Sequence, residues 1–349
     1  RVMTQWRVVI YYLSLIFYPH PSRLNLDYDF PLSYSLLNPF TTLLSLIAII
    51  GLIILAVFLA KKQRLISFCI FWFLANLVIE SSFIPLAIIF EHRTYLPSML
   101  MCLIPVILFY RYIKPQWLAV GAGCALILVC AYWTFERNSV WRNALTLWAD
   151  IVAKSPDKAR PYANLGVAQK DQNLTAEAYQ SFRKALQLNP NLDEAHFNLA
   201  IILEERAETD EAIAHYRKAV EIKPDFVKAH NNLGAAYLRQ NKLEDAGVHL
   251  RNALQLDPKF APAHNNMGLL QVKQGKLDEA VENYLRALEL NPKLAESQFN
   301  LGHALLMQGK AEQATMRFQN ALQLDPDHAE AHNNLGAAYL RQNNLDDAG

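Results

Sequence analysis

The sequence predicts an all-α chain in two parts: multi-span transmembrane helices, followed by an α-solenoid of stacked helix pairs. Three observations predict it. Residues 159–349 copy one pattern at a 34-residue interval. The residues before them hold long runs that are apolar all round. The net charge of +1 also hides an asymmetry: residues 1–155 carry 12 Lys and Arg against 6 Asp and Glu, while residues 156–349 carry 21 against 26. An apolar, basic first part and a mildly acidic second part read as separate domains. Neither is basic or patterned enough for nucleic-acid binding.

The first part is expected to be a transmembrane domain over residues 1–137. Val8 to Tyr18 is apolar and aromatic but short of the roughly 20 residues a span needs. It reads either as an interfacial helix or as the tail of a span lying upstream. Pro19 and Pro21 end it, and a polar loop follows through Pro39, containing Arg23, Asp27 and Asp29. Four spans are then expected, at 41–60, 65–79, 95–113 and 117–135. A helix apolar on every face has no solvent side and is expected in lipid. Lys61, Lys62 and Arg64 sit between the first two spans, and Arg111 and Lys114 between the last two. Positive residues favour the cytoplasmic side. The repeats are therefore expected on the extracytoplasmic side: periplasm or exterior, or an organelle lumen such as the ER. Cys69, Cys102, Cys124 and Cys130 all fall in the apolar runs, so no disulfide framework or metal-binding spacing is present. The sequence starts at Arg1 and ends inside a repeat, which reads as an internal piece of a longer protein.

Residues 138–158 form a junction. Ala144, Trp148 and Pro156 occupy the second-half positions of the repeat, in a copy whose first helix is replaced by the last span. This half repeat is expected to join solenoid to membrane without a flexible linker.

The repeats run 159–192, 193–226, 227–260, 261–294 and 295–328, with a partial copy at 329–349. Position 8 is small (Gly166, Ala200, Gly234, Gly268, Gly302, Gly336). Position 20 is Ala throughout, position 24 is large and apolar (Phe182, Tyr216, Leu250, Tyr284, Phe318), and position 27 is Ala in the five full copies. Small residues let two helices approach, and the large residue fills the space beside them. Position 32 is Pro in each full copy (Pro190, Pro224, Pro258, Pro292, Pro326), and it ends the second helix because it lacks an N–H and clashes with the preceding turn. One hairpin cannot bury its own apolar face, so the copies must stack. At every signature position the array resembles the tetratricopeptide repeat (TPR) family. The resemblance implies a curved solenoid whose long concave surface holds a polypeptide partner.

Two sets of residues are candidate sites. The first is the polar cluster Glu91, His92, Arg93 and Tyr95, between apolar runs. Charges this close to hydrocarbon are usually paired or functional. The cluster reads as a Glu91–Arg93 pair with Tyr95 as an interface anchor, or as a lipid-phosphate site in which Arg93 offers a planar fork. The stretches from Phe17 to Ser33 and from Ile79 to Ser98, followed by the repeat array, resemble the TPR-containing O-mannosyltransferases of the GT-C class and their bacterial relatives. That resemblance implies a polyprenyl-phosphate sugar donor, a membrane-lipid partner and a protein acceptor. The class's catalytic acidic residue is expected in an outward loop ahead of Arg1, so no catalytic residue is assigned here. Glu80 reads as an interface residue or a partner of Arg93, or as a group facing a polar cavity, and Asp27 and Asp29 read as loop carboxylates, or as an acid and base pair.

The second set is position 6, which is Asn in every copy: Asn164, Asn198, Asn232, Asn266, Asn300 and Asn334. Asn is a mediocre helix former, and apolar packing does not need it. An amide offers both donor and acceptor. At about 10 Å between neighbouring helices and roughly 3.3 Å per extended residue, such a ladder meets a peptide at every third residue. It resembles the Asn ladder in the repeats of O-linked N-acetylglucosamine transferase. The other reading is that these amides satisfy groups between repeats. Position 4 holds His196, His230, His264 and His332. A metal site is not expected there, because ligands must converge within about 2 Å of one ion, and these lie a repeat apart. The remaining reading is packing. No P-loop, HExxH or dinucleotide fingerprint occurs.

Overall fold

A computed structural model of the chain describes residues 2–17, 33–81 and 103–346. Among the described residues there are seventeen helices and no strand. The chain divides into two compact units, residues 1–172 and 173–349.

The first unit begins with α1 (Val2–Phe17), α2 (Thr41–Lys62) and α3 (Arg64–Ser81). A single residue, Gln63, turns α2 into α3, and Ser67 Oγ donates to the Ala56 carbonyl at 2.7 Å, closing the hairpin. The apolar segment from Val8 is a true helix. Its Val8, Val9, Tyr12 and Leu15 pack with Cys69 and Phe73 of α3. Ser33 links the start of α1 to the start of α2: its N–H donates to Thr4 Oγ1 at 2.9 Å, and its hydroxyl accepts from Thr42 Oγ1 at 2.9 Å.

Next come α4 (Leu103–Tyr112) and α5 (Gln116–Val140). The helices α2 and α5 are long and apolar enough to cross a membrane by length and composition. Their apolar side chains are not consumed by the fold: Ile54 is 63% exposed, Ile127 67% and Leu128 70%. The segment 65–79 lies within α3. Of the segment 95–113, residues 103–112 are helical as α4, and 95–102 fall outside the described residues. The helix of the last apolar run continues to Val140, beyond the expected end of the span at 135, so the chain turns tightly at Trp141–Asn143. There α6 (Ala144–Lys154) starts under a side-chain cap, with the Thr146 N–H donating to Asn143 Oδ1 at 2.8 Å. It packs on α7 (Ala159–Asp171), the first helix of the first repeat.

The second unit is a TPR solenoid. Its helices are α8 (Thr175–Leu188), α9 (Asp193–Glu205), α10 (Thr209–Ile222), α11 (Val227–Arg239), α12 (Leu243–Leu256), α13 (Ala261–Lys273), α14 (Leu277–Leu290), α15 (Ala295–Met307), α16 (Ala311–Leu324) and α17 (Ala329–Asp346). The signature positions do what their sizes dictate. Ala212, Ala246, Ala280 and Ala314 at position 20, and Ala219, Ala253, Ala287 and Ala321 at position 27, are fully buried. Position 24 fills the gap beside them, with Tyr216 and Phe318 wholly buried and Tyr284 1% exposed. A Cβ built on Gly268 would lie 2.7 Å from the Tyr284 ring, and one on Gly302 2.8 Å from Phe318. Glycine at position 8 is therefore the room into which the position-24 ring fits.

The hairpin turn is set by position 15, which takes a left-handed backbone in each full repeat: Asn173 (φ 59°), Ala207 (61°), Asn241 (58°), Gly275 (77°) and Gly309 (79°). Such conformations end helices and re-aim the chain. In the second unit, first helices of successive repeats also touch each other (α11 with α13, α13 with α15), more closely than second helices do. The stack therefore curves with its first helices on the inner side.

Candidate functional site

In the second unit the inner face is built from first helices, and position 6 sits on it once per repeat. Asn164, Asn198, Asn232, Asn266, Asn300 and Asn334 are all half-buried. Each of these residues is thus partly packed and partly reachable from solvent. What each amide does, however, differs.

Asn198 turns back on its own helix, its Nδ2 donating to the Glu194 carbonyl at 2.8 Å. Asn266 Nδ2 donates to Asn231 Oδ1 at 2.9 Å, in the preceding repeat. Asn300 Nδ2 donates to Asn265 Oδ1 at 3.1 Å, again one repeat back. Asn232 has no such partner, because position 5 of the preceding repeat is Phe197; its Nδ2 donates to the Tyr216 hydroxyl at 3.3 Å instead. The rule is local. Where the preceding repeat carries Asn at position 5, the ladder amide is tied to it by its nitrogen.

These bonds join into a relay across three repeats. Asn266 donates to Asn231, Asn231 Nδ2 donates to Asn232 Oδ1 at 3.1 Å, Asn232 donates to Tyr216, and Tyr216 donates to Glu204 Oε2 at 3.1 Å. Arg239 pairs with the other oxygen of Glu204. A carboxylate can only accept, so it fixes the direction of every donor behind it. Burial pushes the Tyr216 hydroxyl up to about 12, with the bond from Asn232 opposing and Glu205 adding to the shift. Tyr216 thus stays a neutral donor.

The position-4 histidines brace the stack. His196 Nε2 lies 3.0 Å from the Pro190 carbonyl and His230 Nε2 3.1 Å from that of Pro224. A carbonyl only accepts, so each Nε2 carries the proton and each Nδ1 is an acceptor. The facing position-23 histidines supply the donor: His215 Nδ1 at 2.8 Å from His196 Nδ1, and His249 Nδ1 at 3.0 Å from His230 Nδ1. Burial pushes His215 and His249 down to about 4, their His partners adding to it. These are neutral, bonded pairs. Among the described residues, no group of three or more His, Cys, Asp or Glu side chains could hold a metal ion.

Glu91, His92, Arg93 and Tyr95 lie outside the described residues, as do Arg23, Asp27 and Asp29. Glu80 belongs to the last turn of α3. The position-5 asparagines Asn231 and Asn265, which set the ladder's hydrogen bonding, were not singled out from the sequence. Reading position 5 alongside position 6 would have found them, since the pair is Asn-Asn in three copies and Phe-Asn in two.

Residues 143–349 match the profile of a family described as the cilia and flagella-associated protein 70 C-terminal domain. A protein O-mannosyl-transferase of Caenorhabditis elegans is 26% identical over 207 residues, a match covering 56% of this chain and 28% of that protein. The chain therefore spans under a third of that relative's length. Among solved structures, the APC/C hetero-tetramer Cut9–Hcn1 aligns with a TM-score of 0.53 at 20% identity, over 81% of this chain and 51% of that one, a likeness of fold. YrrB, described as a TPR protein with an unusual peptide-binding site, aligns with a TM-score of 0.44 at 22% identity, over 53% of this chain and 96% of its own.

Proposed function

The chain belongs, over residues 143–349, to the family of the cilia and flagella-associated protein 70 C-terminal domain, and from this premise we propose that it is an integral-membrane TPR protein whose solenoid holds an extended polypeptide. One observation carries the reading: a half-buried asparagine recurs once per repeat on the inner first helices. The test is affinity. A peptide selected from a randomised library on the full chain in detergent micelles should lose at least tenfold in affinity when Asn232, Asn266 and Asn300 are all changed to Ala. The variant's helical content should be unchanged. Unaltered affinity would sink the idea.

The finer part of the proposal is that the chain is a piece of a glycosyltransferase that takes a polyprenyl-phosphate sugar and acts on protein. The nematode O-mannosyl-transferase match and the sequence around Arg93 support it. In this reading Arg93 holds donor phosphate, flanked by Glu91, His92 and Tyr95, and the solenoid presents the acceptor. The spans 41–60, 65–79, 95–113 and 117–135 make up the membrane domain within residues 1–137, with 138–158 as the junction. The repeats then face the extracytoplasmic side, because the exposed Lys61, Lys62, Arg64, Arg111 and Lys114 mark the cytoplasmic loops. Protease added from outside should trim the repeats in intact cells or spheroplasts; protected repeats would reverse the orientation.

A second reading is a non-enzymatic scaffold in which the spans only anchor the solenoid. The exposed apolar faces of α2 and α5 serve both readings equally. Glycosyl transfer from a polyprenyl donor by membranes carrying the intact protein, lost in Arg93→Ala, separates them. Transfer unaffected by that change, or absent altogether, favours the scaffold.

A further inference from the structure

The seam between the first two repeats holds a cleft on the outer side, away from the ladder of asparagines. It lies between α8 and α10, over α9, with a volume of about 510 Å³. Leu199 and Leu203 form its floor, and Tyr179, Arg183, Glu211 and His215 stand around it. We propose that this cleft takes a tyrosine side chain of a partner polypeptide, its ring on His215 and its hydroxyl between Arg183 and Glu211. The inner-face reading is separate, and its failure would leave this inference standing.

The next seam holds such a side chain of its own. Position 11, Leu203 in the second repeat, is Tyr237 in the third. Tyr237 is 8% exposed and stacks on His249, with ring centroids 5.8 Å apart and planes at 20°. Burial raises its hydroxyl above the ordinary value, while Arg217 pulls it down and Asp245 pushes it up. Both charges therefore act on that hydroxyl. Arg217, Asp245 and His249 occupy positions 25, 19 and 23, and Arg183, Glu211 and His215 occupy the same positions one repeat earlier. The first seam thus has the polar frame of a phenol site, with a leucine where the phenol would come from.

The histidine seat is held in the same pose in both places. His215 Nδ1 lies 2.8 Å from His196 Nδ1, with rings 5.0 Å apart at 35°. His249 Nδ1 lies 3.0 Å from His230 Nδ1, with rings 5.3 Å apart at 30°. Tyr179 replaces Ile213 at position 21. It adds an aromatic wall, with the Arg206 guanidinium 4.1 Å above its ring. Among the described residues, neither Arg183 nor Glu211 is in an ion pair. A phenol hydroxyl both donates and accepts, so it serves a carboxylate and a guanidinium together. A phenylalanine ring would serve neither, and a phosphotyrosine would set its charge against Glu211. The volume falls in the range of ligand pockets and leaves room for backbone beside the ring, which fits a tyrosine within a chain.

The experiment is NMR of the full chain in micelles with labelled leucine methyls, titrated with capped single residues. The probes are N-acetyl-tyrosinamide, its phenylalanine and leucine counterparts, its phosphorylated form, and p-cresol. The Leu199 and Leu203 methyls should shift with the tyrosine probe. Affinity should fall about three- to tenfold for the phenylalanine probe, and no less for the leucine and phosphorylated ones. Leu203→Tyr supplies the ring from within and should abolish the shift at Leu199. Arg183→Ala, at an exposed position, should bring the tyrosine probe down to the phenylalanine level. Tyr237→Leu should open a second cleft, read as new shifts at Leu233. Equal affinity for the tyrosine, phenylalanine and leucine probes would overturn the assignment, as would a Leu199 shift that persists in a folded Leu203→Tyr variant. Tighter binding of the phosphorylated probe would make the cleft a phosphate site instead. Binding of p-cresol as tight as that of the capped tyrosine would overturn the polypeptide as occupant. The absence of any saturable shift at Leu199 or Leu203 would remove the cleft as a site.

Discussion

Asn266 donates through Nδ2 to Oδ1 of Asn231, 2.9 Å away and one repeat earlier. The bond couples neighbouring repeats through a buried acceptor. Its analogue is Asn300 to Asn265. In a solenoid, stability is a sum of repeats and of the interfaces between them, so these amides belong to the interface part of that sum.

Removing the buried acceptor should therefore cost more than removing an exposed equivalent. Asn265→Ala strands the amide of Asn300 and the hydroxyl of Ser297, and should destabilise the solenoid by about 1–3 kcal/mol. Asn333, at the same position of the last copy, is exposed. Asn333→Ala should fall within about 0.5 kcal/mol of the parent. Denaturant titration of both variants checks the pair, and equal costs would remove the amides from the interface account.

The glycines at position 8 make a second contrast. Gly268→Ala drives a Cβ to 2.7 Å from the Tyr284 ring, whereas around Gly336 nothing lies within 4 Å. Overpacking of this kind costs typically about 1–3 kcal/mol. In an open helical site, alanine gains up to about 1 kcal/mol over glycine. Melting should thus move down for Gly268→Ala and stay or move up for Gly336→Ala.

Ala207 is a repairable flaw. It holds φ at 61°, a conformation that costs a residue with a Cβ roughly 1–2 kcal/mol. Its counterparts in two later repeats, Gly275 and Gly309, adopt the same region without that cost. Ala207→Gly should raise the melting temperature by a few degrees, at about 1 kcal/mol. A lower melting temperature would show that the turn is not strained.

The histidine pairs predict a pH dependence. Burial holds His215 and His249 at about 4 in the fold, below the ordinary value of 6.5. His196 and His230 are lowered as well, burial again the largest cause. A depressed folded value means that the unfolded chain takes up protons first. The stabilisation is complete above pH 6.5 and is lost as pH falls from there towards 4. Protonation also sets two Nδ1–H groups against each other. Position 23 of the next repeat is Asn283, which does not titrate and stands 3.1 Å from His264. The exchange His249→Asn should flatten the fall in melting temperature over that window. An unchanged slope would place the acid sensitivity elsewhere.

Much of this architecture could be read from the sequence, because it is dictated by residue size at a fixed period. Ala280, Tyr284 and Gly268 form one steric unit, and a 34-residue interval exposes it without coordinates. Two features escaped. The left-handed turn at position 15 is served by Asn, Ala and Gly in different copies, so no single residue type marks it. The partner of each ladder amide depends on position 5 of the neighbouring repeat. A column of identical asparagines looks uniform, while Phe197 before one and Asn231 before the next give them different partners. In the first unit, α2 and α5 were legible as long apolar runs. The extension of α5 to Val140 was not, since Glu136 and Arg137 end the apolar run but not the helix.

The most direct test of the central claim is a structure of the full chain with its selected peptide bound. The account predicts an extended chain along the first helices, with backbone groups about three residues apart within hydrogen-bond distance, about 3 Å, of the Asn266 and Asn300 side-chain amides. A peptide lying on the second-helix face, or bound as a helix with no contact to either amide, would contradict it.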